Sequence, residues 1–204
     1  MAVSPAKENI LKRIRQALSN PVPLPFAQSE GTSSVFPPAS DDLGILFAQE
    51  FTALQGKFAF CIGEDDMRKQ VQQLIAEKEW TRIYCDTEPW KDSFSNTISL
   101  ATCDASITGC EFLVARTGTM VMSAAQQSGR TVSVYAPVHI CIAYTSQLVY
   151  DIKDALQSVR DKYNGTIPSL VTFATGPSRT ADIEKTLVTG VHGPKEVYCF
   201  LVEA

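Results

Sequence analysis

From residue 41 onward, helical and strand-like apolar patterns alternate along the chain, and this alternation is the strongest constraint on its fold. Apolar residues recur at helical spacing over 64–78, which predicts a helix with one apolar face. Short apolar stretches typical of strands lie on either side of it, at 57–62 and 81–85. A strand–helix–strand order predicts parallel strands with helices packed on the sheet.

The remaining patterns extend this alternation and add a central block that is rich in strands. Further helices are predicted from a cap at Asp41 to near Gly56, at 88–94, at 147–163 and at 181–187, with a less regular stretch at 98–103. Further strands are predicted at 112–116, 119–123, 131–135, 138–144, 170–174 and 196–202. We therefore predict an α/β fold with an open, mainly parallel sheet and an antiparallel portion.

The first 40 residues differ in character from the rest. Residues 4–18 place apolar side chains at helical spacing and basic ones on the opposite face, which predicts an amphipathic helix. The basic face suits an acidic partner, a membrane surface or solvent. Residues 21–40 contain five prolines and four serines without periodicity, which is typical of an extended arm. We predict a helix and Pro-rich arm at 1–40 and an α/β domain at 41–204.

Composition and charge exclude several functional classes. The chain has 204 residues, enough for one sizeable core with an appendage. Its net charge of -4 is unlike the clustered positive charge that nucleic acid binding requires, so no nucleic acid partner is expected. It has no apolar run of about 18 residues and no apolar signal-peptide core, so we expect no membrane span and a cytoplasmic location.

The six cysteines predict packing rather than metal or cofactor binding. Four of them lie in apolar, strand-like contexts and are expected to be buried: Cys61, Cys85, Cys141 and Cys199. Only Cys103 and Cys110 are close in sequence, and the chain has no CxxC pair of the kind that holds zinc or an iron–sulfur cluster. We expect no metal and no cofactor in this chain, and disulfides are not expected in a reducing compartment.

A polar loop at Gly176–Thr180 follows the predicted strand at 170–174 and precedes a predicted helix. Ligands of parallel sheets bind beyond the carboxyl ends of strands, and helix N-termini bind anions. Gly176, Ser178, Arg179 and Thr180 are therefore candidate ligands of a phosphate or carboxylate. Asp182 in the first helical turn would repel an anion, so a capped turn with Arg179 paired to a carboxylate is the alternative.

A second glycine loop, Gly190–Pro194, follows shortly after and carries His192. An imidazole between glycines is well placed to transfer a proton or bind a carboxylate, which makes His192 the candidate catalytic residue, with Gly193 beside it. The alternative is a loop histidine that fixes the turn by a hydrogen bond. His139 lies among apolar residues and is expected to be a core histidine.

The third candidate is Thr117-Gly118-Thr119, between two predicted strands. A glycine between two hydroxyl residues permits close approach of the backbone to a ligand, and a bulge or tight hairpin requires the same glycine.

Three segments together resemble the LUD domain family, specifically its lactate-utilisation protein C (LutC/YkgG) members: 112–119, 176–184 and 190–194, in that order. The resemblance extends over roughly residues 41 to 204 and implies a fold similar to the NagB/RpiA/CoA-transferase-like group. Many relatives carry Glu where this chain has Arg116. If that carboxylate acts chemically, its role is open here, and Arg116 favours an anionic ligand instead.

The resemblance also implies a function. It identifies a non-redox subunit that takes part, with an iron–sulfur partner and a cysteine-rich-domain partner, in oxidising L-lactate to pyruvate. The site residues would hold a small carboxylate or phosphate, or contact a partner subunit. Two alternatives stay open: a stand-alone enzyme acting on a phosphosugar, acyl-CoA or folate-like substrate, and a ligand-sensing scaffold. The sequence leaves open whether the isolated chain is an enzyme and whether it forms an oligomer.

Overall fold

A computed structural model of the chain describes residues 5–19, 42–97, 99–180 and 188–204. The chain divides into two units, 1–38 and 39–204. In the first unit, helix α1 (Pro5–Ser19) confirms the helix predicted there. The predicted arm at 21–40 lies outside the described residues, as do Asp41 and the helix predicted at 181–187.

The second unit contains the remaining elements. Its helices are α2 (Leu43–Ala53), α3 (Glu64–Glu77), α4 (Lys91–Phe94), α5 (Val132–Tyr135) and α6 (Ile152–Lys162). Its strands are β1 (Lys57–Cys61), β2 (Ile83–Cys85), β3 (Ala105–Thr108), β4 (Phe112–Val114), β5 (Thr119–Ser123), β6 (Val138–Tyr144), β7 (Leu148–Val149), β8 (Val171–Ala174), β9 (Arg179–Thr180), β10 (Val188–Thr189) and β11 (Glu196–Val202). Short 3-10 turns cover Leu100–Thr102, Ala115–Thr117 and Thr145–Gln147.

Five strands form a parallel sheet in the order β1-β11-β6-β3-β2. A second sheet, in the order β7-β4-β5-β8, is antiparallel except where β4 pairs with β7. Strands β9 and β10 form a separate antiparallel pair. The prediction of an α/β fold with a mainly parallel sheet and an antiparallel portion is confirmed.

The parallel sheet is buried on both faces, which requires apolar residues at successive positions of its central strands. Along β6, Ile140 and Ile142 face the core under α3, whereas Cys141 and Ala143 face the core under α2 and the second sheet. A third, smaller cluster joins the second sheet to α6. The unit is therefore layered, with α3 on one side of the parallel sheet and α2 and the second sheet on the other.

Several predicted elements were wrong in type or position. The strand predicted at 131–135 is the single helical turn α5, because only Val132 of its two valines is buried. The helix predicted at 147–163 begins later, at Ile152, because Leu148–Val149 pair with β4 as strand β7. Strand β3 was missed because small polar residues alternate within it, and the cap of α2 is Asp42 rather than Asp41.

No helix among the described residues combines the length and the apolar character that crossing a membrane requires.

Candidate functional site

The Thr117-Gly118-Thr119 turn lies against helix α2. Gly118 has a φ of 58°, and a Cβ atom at this position would lie 2.7 Å from the carbonyl carbon of Glu50 and even closer to the backbone nitrogen of Phe51. The close approach of backbone that the sequence predicted does exist, but it is made to α2. Glycine is required here by packing between two parts of the fold.

Gly176 also lies against α2, two residues after β8 ends at Ala174. Its φ is 77°, and an added Cβ atom would lie 2.6 Å from the Leu54 carbonyl oxygen at the end of α2. The hydroxyl of Thr119 bonds both Thr117, at 2.7 Å, and Thr175, at 2.8 Å. The structure thus brings the turn at 117–119 and the start of the loop at 176 together at the end of α2.

Arg116 pairs with a carboxylate of the chain itself. Its Nε lies 2.7 Å from Oδ2 of Asp151, the residue that caps α6, and both side chains are three-quarters buried or more. The Arg116 guanidinium is the main cause that holds the pKa of Asp151 below its usual value. An anionic ligand at Arg116 would have to compete with this internal pair.

Arg179 and Thr180 form strand β9, not the start of a helix. They pair with Thr189 and Val188 of β10, and the Arg179 side chain is exposed. Strand β8 before them belongs to the second sheet, so the loop does not follow a strand of the parallel sheet. The helix predicted to follow this loop and Asp182 both lie outside the described residues, so the anion site predicted around residues 176–182 stays a prediction.

The two glycine loops do meet, and Ser178 joins them. Its backbone N–H donates to the Pro194 carbonyl at 2.9 Å, and its carbonyl accepts from the Gly190 N–H at 2.9 Å. A Cβ atom on Gly193 would lie 2.9 Å from the Cβ of Ser178. Glycine at position 193 therefore lets the second loop pack closely against the first, and the two loops are joined by hydrogen bonds.

His192 lines a surface hollow of about 460 Å³ beside these loops. Its lining residues are Val134, Tyr135, Pro137, Gly190, Val191, His192, Gly193 and Lys195. The Lys195 N–H donates to the Pro137 carbonyl at 2.8 Å, which places the hollow just before β6 and β11. It therefore lies at the amino edge of the parallel sheet, opposite the carboxyl edge that most ligands of such sheets use.

The hollow has polar as well as apolar lining residues. Its polar side chains are the Lys195 ammonium, the His192 imidazole and the Tyr135 phenol, and none of its described lining residues is a carboxylate. A Cβ atom on Gly190, whose φ is 78°, would collide with Cγ of Lys195. Glycine at this position therefore makes room for the lysine side chain along the loop. Sequence reasoning did not select Tyr135, because only the fold brings it beside Lys195.

His139 is a buried core histidine, as predicted. Its Nε2 lies 2.8 Å from Oγ1 of Thr108 on the neighbouring strand. Burial lowers the pKa of the imidazole, which favours its neutral form. The residue fixes β3 to β6 and does not reach the hollow's lining.

A buried carboxylate network around Glu111 was missed from the sequence. Glu111 accepts hydrogen bonds from the Ser123 hydroxyl, from the Tyr163 hydroxyl at 2.7 Å and from the Lys162 ammonium at 2.6 Å. Burial opposes its ionisation, but the bonds from Lys162, Ser123 and Tyr163 outweigh burial and lower its pKa. The network ties the β4–β5 hairpin to the end of α6. The sequence did carry one sign of this network, because Glu111 is a single charged residue between the apolar residues Cys110 and Phe112.

All six cysteines are buried free thiols, which confirms the burial predicted for the strand cysteines. Cys141 and Cys199 are register partners on β6 and β11. Among the residues that the structure describes, no three His, Cys, Asp or Glu side chains come together in a way that would hold a metal ion.

Comparison with known proteins links these loops to a family. The LUD domain family matches residues 90–202, a segment that includes the Thr117-Gly118-Thr119 turn and both glycine loops. Lactate utilization protein C of Bacillus subtilis is 40% identical over 98 residues, which cover 47% of this chain and 41% of that protein. In this match the chain spans less than half the length of its relative.

Two matches from Deinococcus radiodurans cover more of the chain. Its Lactate utilization protein C is 27% identical over 208 residues, covering 97% of this chain and 95% of that protein. A crystal structure of a DUF162 family protein from the same organism superposes with a TM-score of 0.61 at 16% identity. It covers 81% of this chain and 99% of that structure. At this identity the structural match establishes the fold alone. Because the family match spans more than half of the sequence, the chain belongs to the LUD domain family.

Proposed function

We propose that this chain takes part in lactate utilization, as a non-redox subunit of an iron–sulfur complex that oxidises L-lactate to pyruvate. One observation carries the proposal: the chain aligns, over 97% of its own length, with a protein named Lactate utilization protein C. Oxidation of L-lactate to pyruvate releases two electrons and two protons. In the proposal, an iron–sulfur subunit and a cysteine-rich-domain subunit accept the electrons, and this chain binds the carboxylate or contacts a partner.

The hollow at the glycine loops is the proposed ligand site. Lys195 supplies a positive charge, and the His192 imidazole and Tyr135 hydroxyl can donate hydrogen bonds to a carboxylate. Ser178 and Gly193 hold the loop that carries His192, so they act as positioning residues. Thr117, Gly118, Thr119 and Gly176 support the same loops from the α2 side, and Arg116, Arg179, Thr180 and Asp182 remain proposed contacts for a ligand or partner.

Reconstitution tests the complex. The chain is purified alone and together with candidate iron–sulfur and cysteine-rich partners, and L-lactate-dependent reduction of a dye is measured. We expect dye reduction only in the mixture, because the electrons need the partners' cofactors. Turnover of a phosphosugar, a CoA ester or a folate by the isolated chain would point to a stand-alone enzyme. Full activity of the partners without this chain would also contradict the proposal.

Calorimetric titration with L-lactate tests the hollow. We expect Lys195→Ala and His192→Ala each to weaken binding by about tenfold, corresponding to about 1.4 kcal/mol, while the fold is retained. Lys153→Ala removes an exposed lysine on α6, remote from the hollow's lining, and serves as the control. Equal binding by all four proteins would rule out the hollow as the carboxylate site.

A further inference from the structure

Strand β1 forms one edge of the parallel sheet, and the two edges of this sheet are built differently. At the opposite edge, the segment after α4 covers β2. The Ile83 N–H donates to the Asn96 side chain at 2.7 Å, and the Ile83 carbonyl accepts from the Asn96 N–H at 3.0 Å. At the β1 edge, no strand among the described residues pairs with the outer side. An uncovered edge is a template for another strand.

The hydrogen bonds around β1 identify which residues face outward. The Cys61 carbonyl accepts from the Glu203 N–H on the β11 side. Because backbone groups of neighbouring strand residues point to opposite sides, Phe58 and Phe60 direct theirs to the open edge. The Phe60 carbonyl is reached there by the Gln70 side chain, at 3.2 Å, and the Ile62 N–H by Asp66.

Apolar surface accompanies this open edge. Phe60 is 49% exposed and Ile62 is 76% exposed. A groove of about 930 Å³ lies between α2 and the parallel sheet and extends inward from Phe58 and Phe60 of β1 to Leu201 of β11. Exposed Ile45 adds to this apolar surface. A smaller groove of about 280 Å³ lies on the α3 face of β1. Exposed apolar residues along a pairing edge mark an interaction surface.

We propose that the β1 edge is a docking surface for a second copy of this chain, whose own β1 pairs with it antiparallel. With Ala59 facing Ala59 of the second copy, Phe58 lies opposite the other copy's Phe60. Both residues direct their backbone groups outward, so each of these two pairs can exchange two backbone hydrogen bonds once the Gln70 side chain turns away from the Phe60 carbonyl. The aromatic side chains of each pair share one face of the joined sheet.

The charges at the two ends of β1 fit this antiparallel arrangement. At the amino end, Lys57 and Lys78 both pair with the one carboxylate of Glu196. Just beyond the carboxyl end, the carboxylate of Asp66 accepts from the Ile62 N–H. A two-fold axis at Ala59 brings the Lys57 end of one copy to the Asp66 end of the other, on the same α3 face of the sheet. The Lys57–Lys78–Glu196 group of each copy, with two cations and one carboxylate, therefore lies toward Asp66 of the other copy.

The oligomeric state of the full chain tests the proposal. Sedimentation equilibrium up to on the order of 100 µM should detect a dimer of the wild type. Phe60→Lys should weaken the dimer at least about tenfold, since it places a charge opposite Phe58. The matched control is Phe173→Lys, which alters a similarly exposed phenylalanine on β8, an edge strand of the second sheet. A wild type that stays monomeric, or equal effects of both variants, would overturn the proposal.

A cross-link tests the register even if Phe60→Lys fails to fold. Facing Ala59 residues form a non-hydrogen-bonded pair, whose Cα atoms lie about 4.5 Å apart, a separation that a disulfide can span. Diamide oxidation of Ala59→Cys should therefore give a covalent dimer. The wild type, with buried thiols, and Ala125→Cys, on an exposed loop, should stay monomeric on denaturing gels. No cross-link at position 59, or an equal one at 125, would contradict this pairing.

Discussion

At the scale of single residues, the sequence named chemical groups but not their partners. Arg116 was expected to favour an anionic ligand, and its guanidinium pairs with Asp151, 35 positions further along the chain. No role was predicted for Glu111, yet its carboxylate is the most deeply buried one among the described residues. Partners so distant in sequence are fixed by the packing of strands and helices, and no local pattern reports them.

Replacing Glu111 with Gln should destabilise the fold. The substitution removes the negative charge that accepts bonds from Lys162, Tyr163 and Ser123 and leaves donors at a buried position. We expect a loss of about 1–3 kcal/mol in the free energy of unfolding, measured by urea denaturation. The loss is no larger because the Lys162 side chain is half-exposed, so water replaces part of the lost interaction. Glu79→Gln, at an exposed site, is the control and should change the free energy little. Equal stability of the two variants would show that the network contributes nothing.

Asp104 should make stability depend on acid. Its hydrogen bond with the Arg82 side chain, together with bonds from the Arg82 and Thr81 N–H groups, lowers its pKa to about 2. A carboxylate with a depressed folded-state pKa adds stability above its unfolded pKa of about 3.9, and this stability is lost as pH falls toward about 2. Asp104→Asn should flatten the fall in urea midpoint over that range. Asp92→Asn, at an exposed position on α4, should leave the slope as in the wild type.

At the scale of elements, regular periodicity was the reliable guide. Strands β6 and β11 and helix α3 were predicted within a residue of their ends, because each has many apolar residues at one spacing. Strand β3 was missed because two of its residues, Ser106 and Thr108, are polar although they are buried. Helix α6 was predicted to begin too early because Leu148 belongs to strand β7. The glycine loops were located correctly, but their contacts with α2 required the fold.

Substituting Gly118 tests the contact between its turn and α2. Gly118→Ala combines a left-handed φ of 58° with a collision against the Glu50–Phe51 backbone. Gly129→Ala has a similar φ of 61° and meets nothing within 4 Å, so it isolates the cost of the backbone conformation. We expect about 1–2 kcal/mol of destabilisation at 129 and at least about 1–3 kcal/mol more at 118, by chemical denaturation. Similar losses at both positions would mean that α2 moves away from an alanine at position 118 without lowering the free energy of unfolding further.

At the scale of the whole molecule, the three core clusters of the described residues draw only on residues from 43 onward. We therefore predict that a chain without residues 1–40 still folds, in line with the proposed domains at 1–40 and 41–204. Its far-ultraviolet circular dichroism should keep the α/β signature, and its thermal transition should stay cooperative. As a control, a chain that also lacks residues 41–54 loses Phe47 and Phe51 from the core and should not fold. Loss of the transition on deleting 1–40 alone would contradict the domain division.

The sequence by itself determined the α/β class, the burial of its strand cysteines and the position of the three glycine-containing segments that mark the LUD domain. These follow from local periodicity and from residues adjacent in the chain, which any folded form must respect. Only the tertiary structure decided that the two later loops join at the amino edge of the parallel sheet, that Arg116 meets Asp151 and that β1 lies at an open edge. Strand order and loop contacts arise from burying apolar surface between distant segments, and such contacts leave no periodic trace in the sequence.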